Sequence, residues 1–144
     1  MRIYMDNCCF NRPFDDQSQL KIKLEAEAKI YIQENILLKK LELVWSYILD
    51  YENTANPFDE RRNSIQLWKN HATDDRVENA EIIKKAETIH LKGIKSKDAL
   101  HIACAIFSKS DYFITTDDSI LKKLKDFDEI TVIDPINFIR SIEL

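Results

Sequence analysis

Tyr112-Phe113-Ile114-Thr115-Thr116-Asp117 is an apolar, β-prone run that closes on an acid. Met1-Arg2-Ile3-Tyr4-Met5-Asp6 has the same form at the start of the chain. Runs of this kind, without polar alternation, read as strands buried on both faces. Outward from them the pattern changes to a helical one. Leu20, Leu24, Ala28, Tyr31, Ile32 and Ile36 follow the helical period and predict a long amphipathic helix ending near Leu38. Strands separated by helices imply a parallel sheet, because parallel strands need long crossovers. The expected fold is therefore α/β, three layers (α/β/α) around a small parallel sheet of about four strands, with residues 1–144 in a single domain.

The rest of the chain supports this order. Asn7 to Asp16 reads as a loop, and Asp16 with Gln19 resembles a capping box for the long helix. Leu41 to Trp45 is a second short strand. Ser46 is placed to cap the next helix, which carries Glu52 and stops before Pro57. Phe58–Asn70 and Asp75–Leu91 read as two more helices, the second ended by Gly93. Ser96 is expected to cap a helix bearing Asp98. A helix from Asp118 to Leu124, a strand from Ile130 to Ile133, and a helix opened by Asp134-Pro135 and reaching about Ser141 complete the chain.

Composition narrows the function classes. With 44% hydrophobic and 32% charged residues, the chain has the make-up of a soluble globular protein. No apolar run approaches the ~20 residues of a membrane span. The first residues lack the features of a signal peptide, so a cytoplasmic location is expected. Three cysteines, Cys8, Cys9 and Cys104, form no disulfide or zinc spacing. A single glycine excludes the usual glycine-rich phosphate loops. The net charge of −4 is unusual for a nucleic-acid binder, although 21 Lys and Arg residues allow a local basic rim.

Four acids stand out: Asp6 and Asp117 close strands, Asp98 opens a helix, and Glu52 follows the second strand. Each has a structural explanation as a cap, a dipole partner or a surface residue. In a parallel α/β sheet, however, such positions share the edge where ligands bind. Carboxylates gathered there repel one another unless a cation holds them, and hard oxygen ligands suit Mg²⁺ or Mn²⁺. Asp118 competes with Asp117 for the fourth position, where the Thr115-Thr116-Asp117 register favours Asp117, and Asp50 competes less well with Glu52. Asn7, Thr115 and Thr116 are candidates for contact with a phosphate-bearing substrate. His101 reads as a satisfied structural histidine, Arg12, Lys95 and Lys97 as phosphate binders or solvated charges, and Trp45 and Trp68 as core. An aspartyl phosphatase is disfavoured, since Cys8 stands where its second aspartate belongs.

On these residues the chain resembles the PIN domain family of metal-dependent nucleases, which includes VapC-type toxins. Ile3-Tyr4-Met5-Asp6-Asn7 is similar to the family's first strand and acid. Ser46 to Glu52 resembles its second motif, Asp98 to Ala105 its third, and Phe113-Ile114-Thr115-Thr116-Asp117 its fourth. The resemblance covers essentially the whole chain. It implies a ribonuclease that uses Asp6, Glu52, Asp98 and Asp117 as catalytic, metal-holding residues for Mg²⁺ or Mn²⁺. The products implied are a 5′-phosphate and a 3′-hydroxyl. The implied partners are RNA, an antitoxin protein and a second copy of the chain. A catalytically silent PIN-like binding or scaffold module is the alternative.

Overall fold

The computed structural model describes residues 1–142. Five strands, β1 (Arg2–Met5), β2 (Glu42–Ser46), β3 (Ala72–Arg76), β4 (Tyr112–Ile114) and β5 (Thr131–Ile133), form one sheet in the order β3-β2-β1-β4-β5. All four pairings are parallel. The helices are α1 (Asn7–Asn11), α2 (Leu20–Leu37), α3 (Tyr47–Thr54), α4 (Asp59–Gln66), α5 (Ala80–His90), α6 (Ser96–Phe107), α7 (Asp118–Lys123) and α8 (Pro135–Ser141). They cover both faces of the sheet, giving the three-layer α/β arrangement. The middle of the sheet is dry: Ile3, Tyr4, Met5, Leu43, Val44, Trp45, Phe113 and Ile114 are fully buried.

The topology fixes where a site can lie. From β1 the chain builds outward through β2 and β3, then returns to place β4 on the other side of β1. The winding direction therefore reverses between β1 and β4. Crevices open at the carboxyl ends of strands at such a reversal. Asp6 follows β1 there, and Thr115, Thr116 and Asp117 follow β4.

The fold departs from expectation in detail. There are five strands rather than about four, because β3 was hidden in polar sequence. Ala72-Thr73-Asp74-Asp75-Arg76 is an edge strand that alternates between half-buried and exposed residues, so it needs no apolar run. Asp75 therefore lies in a strand, and the following helix begins only at Ala80, where Asn79 Oδ1 accepts from Ile82 N at 2.9 Å. The segment expected as a loop after Asp6 contains α1 and a 3-10 turn over Arg12–Phe14. The helix expected to Asn70 gives way to a 3-10 turn over Leu67–His71.

Two predicted caps do not form. Asp16 instead turns back on Ser18, accepting from its backbone N at 3.0 Å and its hydroxyl at 2.9 Å. Ser96 lies inside α6, with Lys95 at the cap position and no side-chain cap. Ser46, Asp117 and Asp134 do cap α3, α7 and α8. Gly93 ends the turn after α5 at φ +91°, the left-handed region that favours glycine. Among the described residues, no helix is long and apolar enough to cross a membrane.

Candidate active site at the carboxyl edge of the sheet

Asp6 is the centre of the site. Its position after a buried strand and before α1 leaves it 5% exposed. Oδ1 accepts from Asn7 N at 2.8 Å, and Oδ2 accepts from the Thr115 hydroxyl at 2.9 Å. Thr115 Oγ1 in turn accepts from Asp117 N at 3.1 Å, so one hydroxyl ties the ends of β1 and β4 together. Cys8 Sγ lies 3.5 Å from both Asp6 Oδ2 and Thr115 Oγ1, and accepts from Thr116 N at 3.4 Å.

Glu52 reaches the same place from α3. Its Oε1 is hydrogen-bonded by His101 Nε2, and its Oε2 is 3.5 Å from Asn7 Nδ2. His101 is fully buried, and its Nε2 also lies 3.8 Å from Asp6 Oδ1. Its other nitrogen, Nδ1, is 2.5 Å from the hydroxyl of Tyr4, which is 2.6 Å from Ser46 Oγ. Burial works against a charged imidazole, but the Glu52 hydrogen bond and the charges of Asp6, Glu52 and Asp98 raise its pKa. Burial likewise pushes the Glu52 carboxyl up, and the His101 hydrogen bond and charge bring it below its ordinary value. Both shifts have the sign of an ion pair. With the ring protonated, His101 donates to Glu52 and to Tyr4, and Tyr4 donates to Ser46.

Asp98, in the first turn of α6, is half-buried and makes no hydrogen bond or ion pair among the described residues. Burial lifts its pKa to about 6, helped by the charges of Asp6, Asp117 and Glu52 and opposed by His101. The four acids therefore share one electrostatic environment. Asp117 belongs to it while capping α7 through Ser119 N and Ile120 N. Asp118 points elsewhere, with 77% of its side chain exposed and an ion pair to Lys21 at 3.0 Å. Asp50 also turns away, accepting from Trp45 Nε1, Gln66 Nε2 and Lys69 Nζ at 2.9–3.0 Å.

Of the other candidates, Asn7 adjoins both Asp6 and Glu52, and its buried Oδ1 has no partner. Thr116 is buried beside Cys8. Arg12 is committed to ion pairs with Asp15 and Glu25. Lys95 and Lys97 are exposed. Trp45 is core, and Trp68 packs against the core. Tyr4 and Cys8 were not anticipated, nor was His101 as a neighbour of the acids. Spacing carries a signal for two of them: Tyr4 is two residues before Asp6 along β1, and His101 is one helical turn after Asp98; Cys8, in α1, has no such period.

Among the described residues, no three His, Cys, Asp or Glu side chains already stand close enough to hold a metal ion. The donor chemistry nevertheless fits a hard divalent cation. It offers carboxylate oxygens from four chain segments, an unpartnered Asp98 carboxylate, and the orphaned Asn7 Oδ1. Residues 3–126 match the PIN domain family. The chain belongs to that family. No curated protein matches it. Two solved structures share the PIN fold seen here. One is VapBC2 from Rickettsia felis bound to a DNA fragment from its promoter, at 14% identity and TM-score 0.58, covering 93% of this chain and 98% of that one. The other is VapBC-1 from nontypeable Haemophilus influenzae, at 17% identity and TM-score 0.61, covering 94% and 98%.

Proposed function

We propose that this PIN domain is a metal-dependent endoribonuclease, hydrolysing RNA phosphodiester bonds at Asp6, Glu52, Asp98 and Asp117 with Mg²⁺ or Mn²⁺. The reading is supported by Asp6 and Asp117 following β1 and β4 at the reversal of the sheet, with His101 lying between Asp6 and Glu52 and Asp98 without a partner among the described residues. Asp6, Asp98 and Asp117, with Glu52, would hold the cation. When bound, it supplies charge neutralisation of the phosphate and activation of water. The protein's own residues do the rest. Thr115 fixes the Asp6 carboxylate, His101 fixes Glu52, and Asn7 presents a free acceptor beside both. The buried floor under Asp6 keeps bulk water from one side of the site.

The biological setting proposed is a toxin held in check by an antitoxin, with the toxin also pairing with a second copy of itself. The likeness to two VapBC structures supports the antitoxin partner. The test uses purified protein and 5′-labelled RNA with Mg²⁺ or Mn²⁺. Asp6→Asn and Asp98→Asn are expected to lose roughly 10²-fold or more of the cleavage rate while keeping the wild-type circular dichroism spectrum. Cleavage at the wild-type rate by either variant overturns the assignment.

One observation favours a second reading, a catalytically silent PIN-like binding module. The Glu52 carboxylate is already engaged by the fully buried His101 ring. Calorimetric titration separates the two. A silent module takes up no Mg²⁺ or Mn²⁺ in the millimolar range, whereas the nuclease does, and Asp98→Asn weakens the uptake.

A further inference from the structure

The acidic site has a basic flank. Residues 91–97, Leu-Lys-Gly-Ile-Lys-Ser-Lys, run from the end of α5 into the first turn of α6, and residues 119–125, Ser-Ile-Leu-Lys-Lys-Leu-Lys, span α7 and its end. Together they contain six lysines and no acid. The segments touch: Lys123 Nζ donates to Gly93 O at 2.8 Å. Between them lies a hollow of about 210 Å³ lined by Lys92, Lys122, Lys123 and Lys125, with Phe127 beside them. The Lys92 ammonium stands 5.8 Å from the centre of the Phe127 ring. None of these four lysines is in an ion pair among the described residues, although Asp126 also lines the hollow. For a chain of net charge −4, so dense a local excess of positive charge calls for a polyanion.

Both segments run directly into the site. Lys97 precedes Asp98, and residues 119–125 follow Asp117 and Asp118. Lys97 Nζ also lies 5.1 Å from the ring centre of Tyr51, which is 60% exposed and adjoins Glu52. An exposed ring and lysines beside a cleavage site suit a single nucleic-acid strand, whose bases stack and whose phosphates pair. An acidic peptide needs the lysines but neither the ring nor the continuity with the acids.

We propose that the Lys92–Lys122–Lys123–Lys125 hollow is a phosphate-binding subsite that grips the backbone of single-stranded RNA outside the acidic crevice. This rests on the ribonuclease reading but is tested without cleavage. Affinity for a fluorescent 12-nucleotide RNA is measured by anisotropy in EDTA, where no metal bridges acid and phosphate. Lys92→Gln/Lys122→Gln/Lys125→Gln is expected to bind about tenfold more weakly at 100 mM salt. The slope of log K against log salt should be shallower by ~2, since each single-strand phosphate contact contributes ~0.7. Lys123 is kept because it also holds Gly93 O. The three corresponding Lys→Arg changes should retain wild-type binding. Lys39→Gln/Lys40→Gln, which lowers charge in the turn after α2, should leave binding unchanged.

An unaltered affinity and slope in the triple glutamine variant overturns the subsite, as does an equal loss in the Lys39/Lys40 control. A lysine-dependent affinity for a 12-residue polyglutamate peptide, but not for RNA, also overturns it and marks a protein-docking surface. If the lysine-dependent slope appears while the wild-type protein cuts no RNA with either metal, the subsite stands and the nuclease assignment falls.

Discussion

His101 hydrogen-bonds Glu52 from a ring that is itself fully buried. The ring is braced from behind by Tyr4, a β1 residue whose hydroxyl also meets Ser46 at the end of β2. The orientation of an acid in the crevice is thus set from inside the sheet. Tyr4→Phe removes one oxygen and leaves the packing volume nearly unchanged. It strands the His101 nitrogen and removes one of the partners of the Ser46 hydroxyl, so urea denaturation should show a loss of about 1–3 kcal/mol. Cleavage should fall through kcat rather than KM. Unchanged kcat in a folded Tyr4→Phe protein removes the bracing role.

Thr115 is the second brace. Thr115→Val keeps the shape but deletes both the donor to Asp6 and the acceptor for Asp117 N. Stability is expected to drop by about 1–3 kcal/mol, with cleavage reduced alongside it. Thr115→Ser, which keeps the hydroxyl, should restore most of both. Equal activity in the valine and serine variants would show that the oxygen does not matter.

Asp98 opposes folding when no cation is present. Its folded pKa is raised to about 6, so the protonated form is favoured in the native state. The penalty is absent below the unfolded value of ~3.9 and complete above the folded one. Stability from this group therefore falls as pH rises from ~4 to ~6. In EDTA at pH 7.5, Asp98→Asn should be more stable than wild type by about 1–3 kcal/mol. The gain should vanish near pH 4. Chemical denaturation at the two pH values provides the check.

Lys29 gives a separate pH signature, away from the acids. Its side chain on α2 is 4% exposed, with the amine 5.6 Å from the centre of the Phe10 ring. Burial lowers its pKa to about 8, against the nearby Cys9, whose charge acts to raise it. A base with a lowered folded pKa is penalised while charged, so its share of stability rises between about pH 8 and ~10.4. Lys29→Met should gain about 2–3 kcal/mol at pH 7 and lose that advantage above pH ~10.4. A wild-type-minus-variant difference that is flat across the window contradicts this.

Much of the architecture was legible because β1 and β4 carry undiluted apolar runs. Helix α2 formed where expected, but its amphipathic pattern did not hold, since Leu20, Leu24 and Tyr31 are exposed while Glu25, Lys29, Gln33 and Asn35 are buried. Asp6 and Asp117 were legible as site candidates because each ends a strand that must be buried. Asp98 was marked by its helix start. Strand β3 was not, since an edge strand can be built from Thr73, Asp74 and Asp75 once Arg76 and Lys69 pair with the acids. The Thr115-Thr116-Asp117 register already favoured Asp117 over Asp118, and in three dimensions Asp117 caps α7 while Asp118 pairs with Lys21 on the surface. The link from Tyr4 to His101 spans 97 residues, and no local period reveals such a pairing. Ser96 misled because a serine ahead of a helix looks like a cap whether or not the helix has already begun.

Both margins of the sheet are poor templates for another strand. On one side β3 displays Asp74, paired with Arg76 and Arg2, and Asp75, paired with Lys69. On the other, β5 has only three residues. Charged or very short margins resist intermolecular ladder formation. Any assembly of this molecule would therefore use its helical surfaces and loops, with side chains rather than main-chain ladders making the contacts.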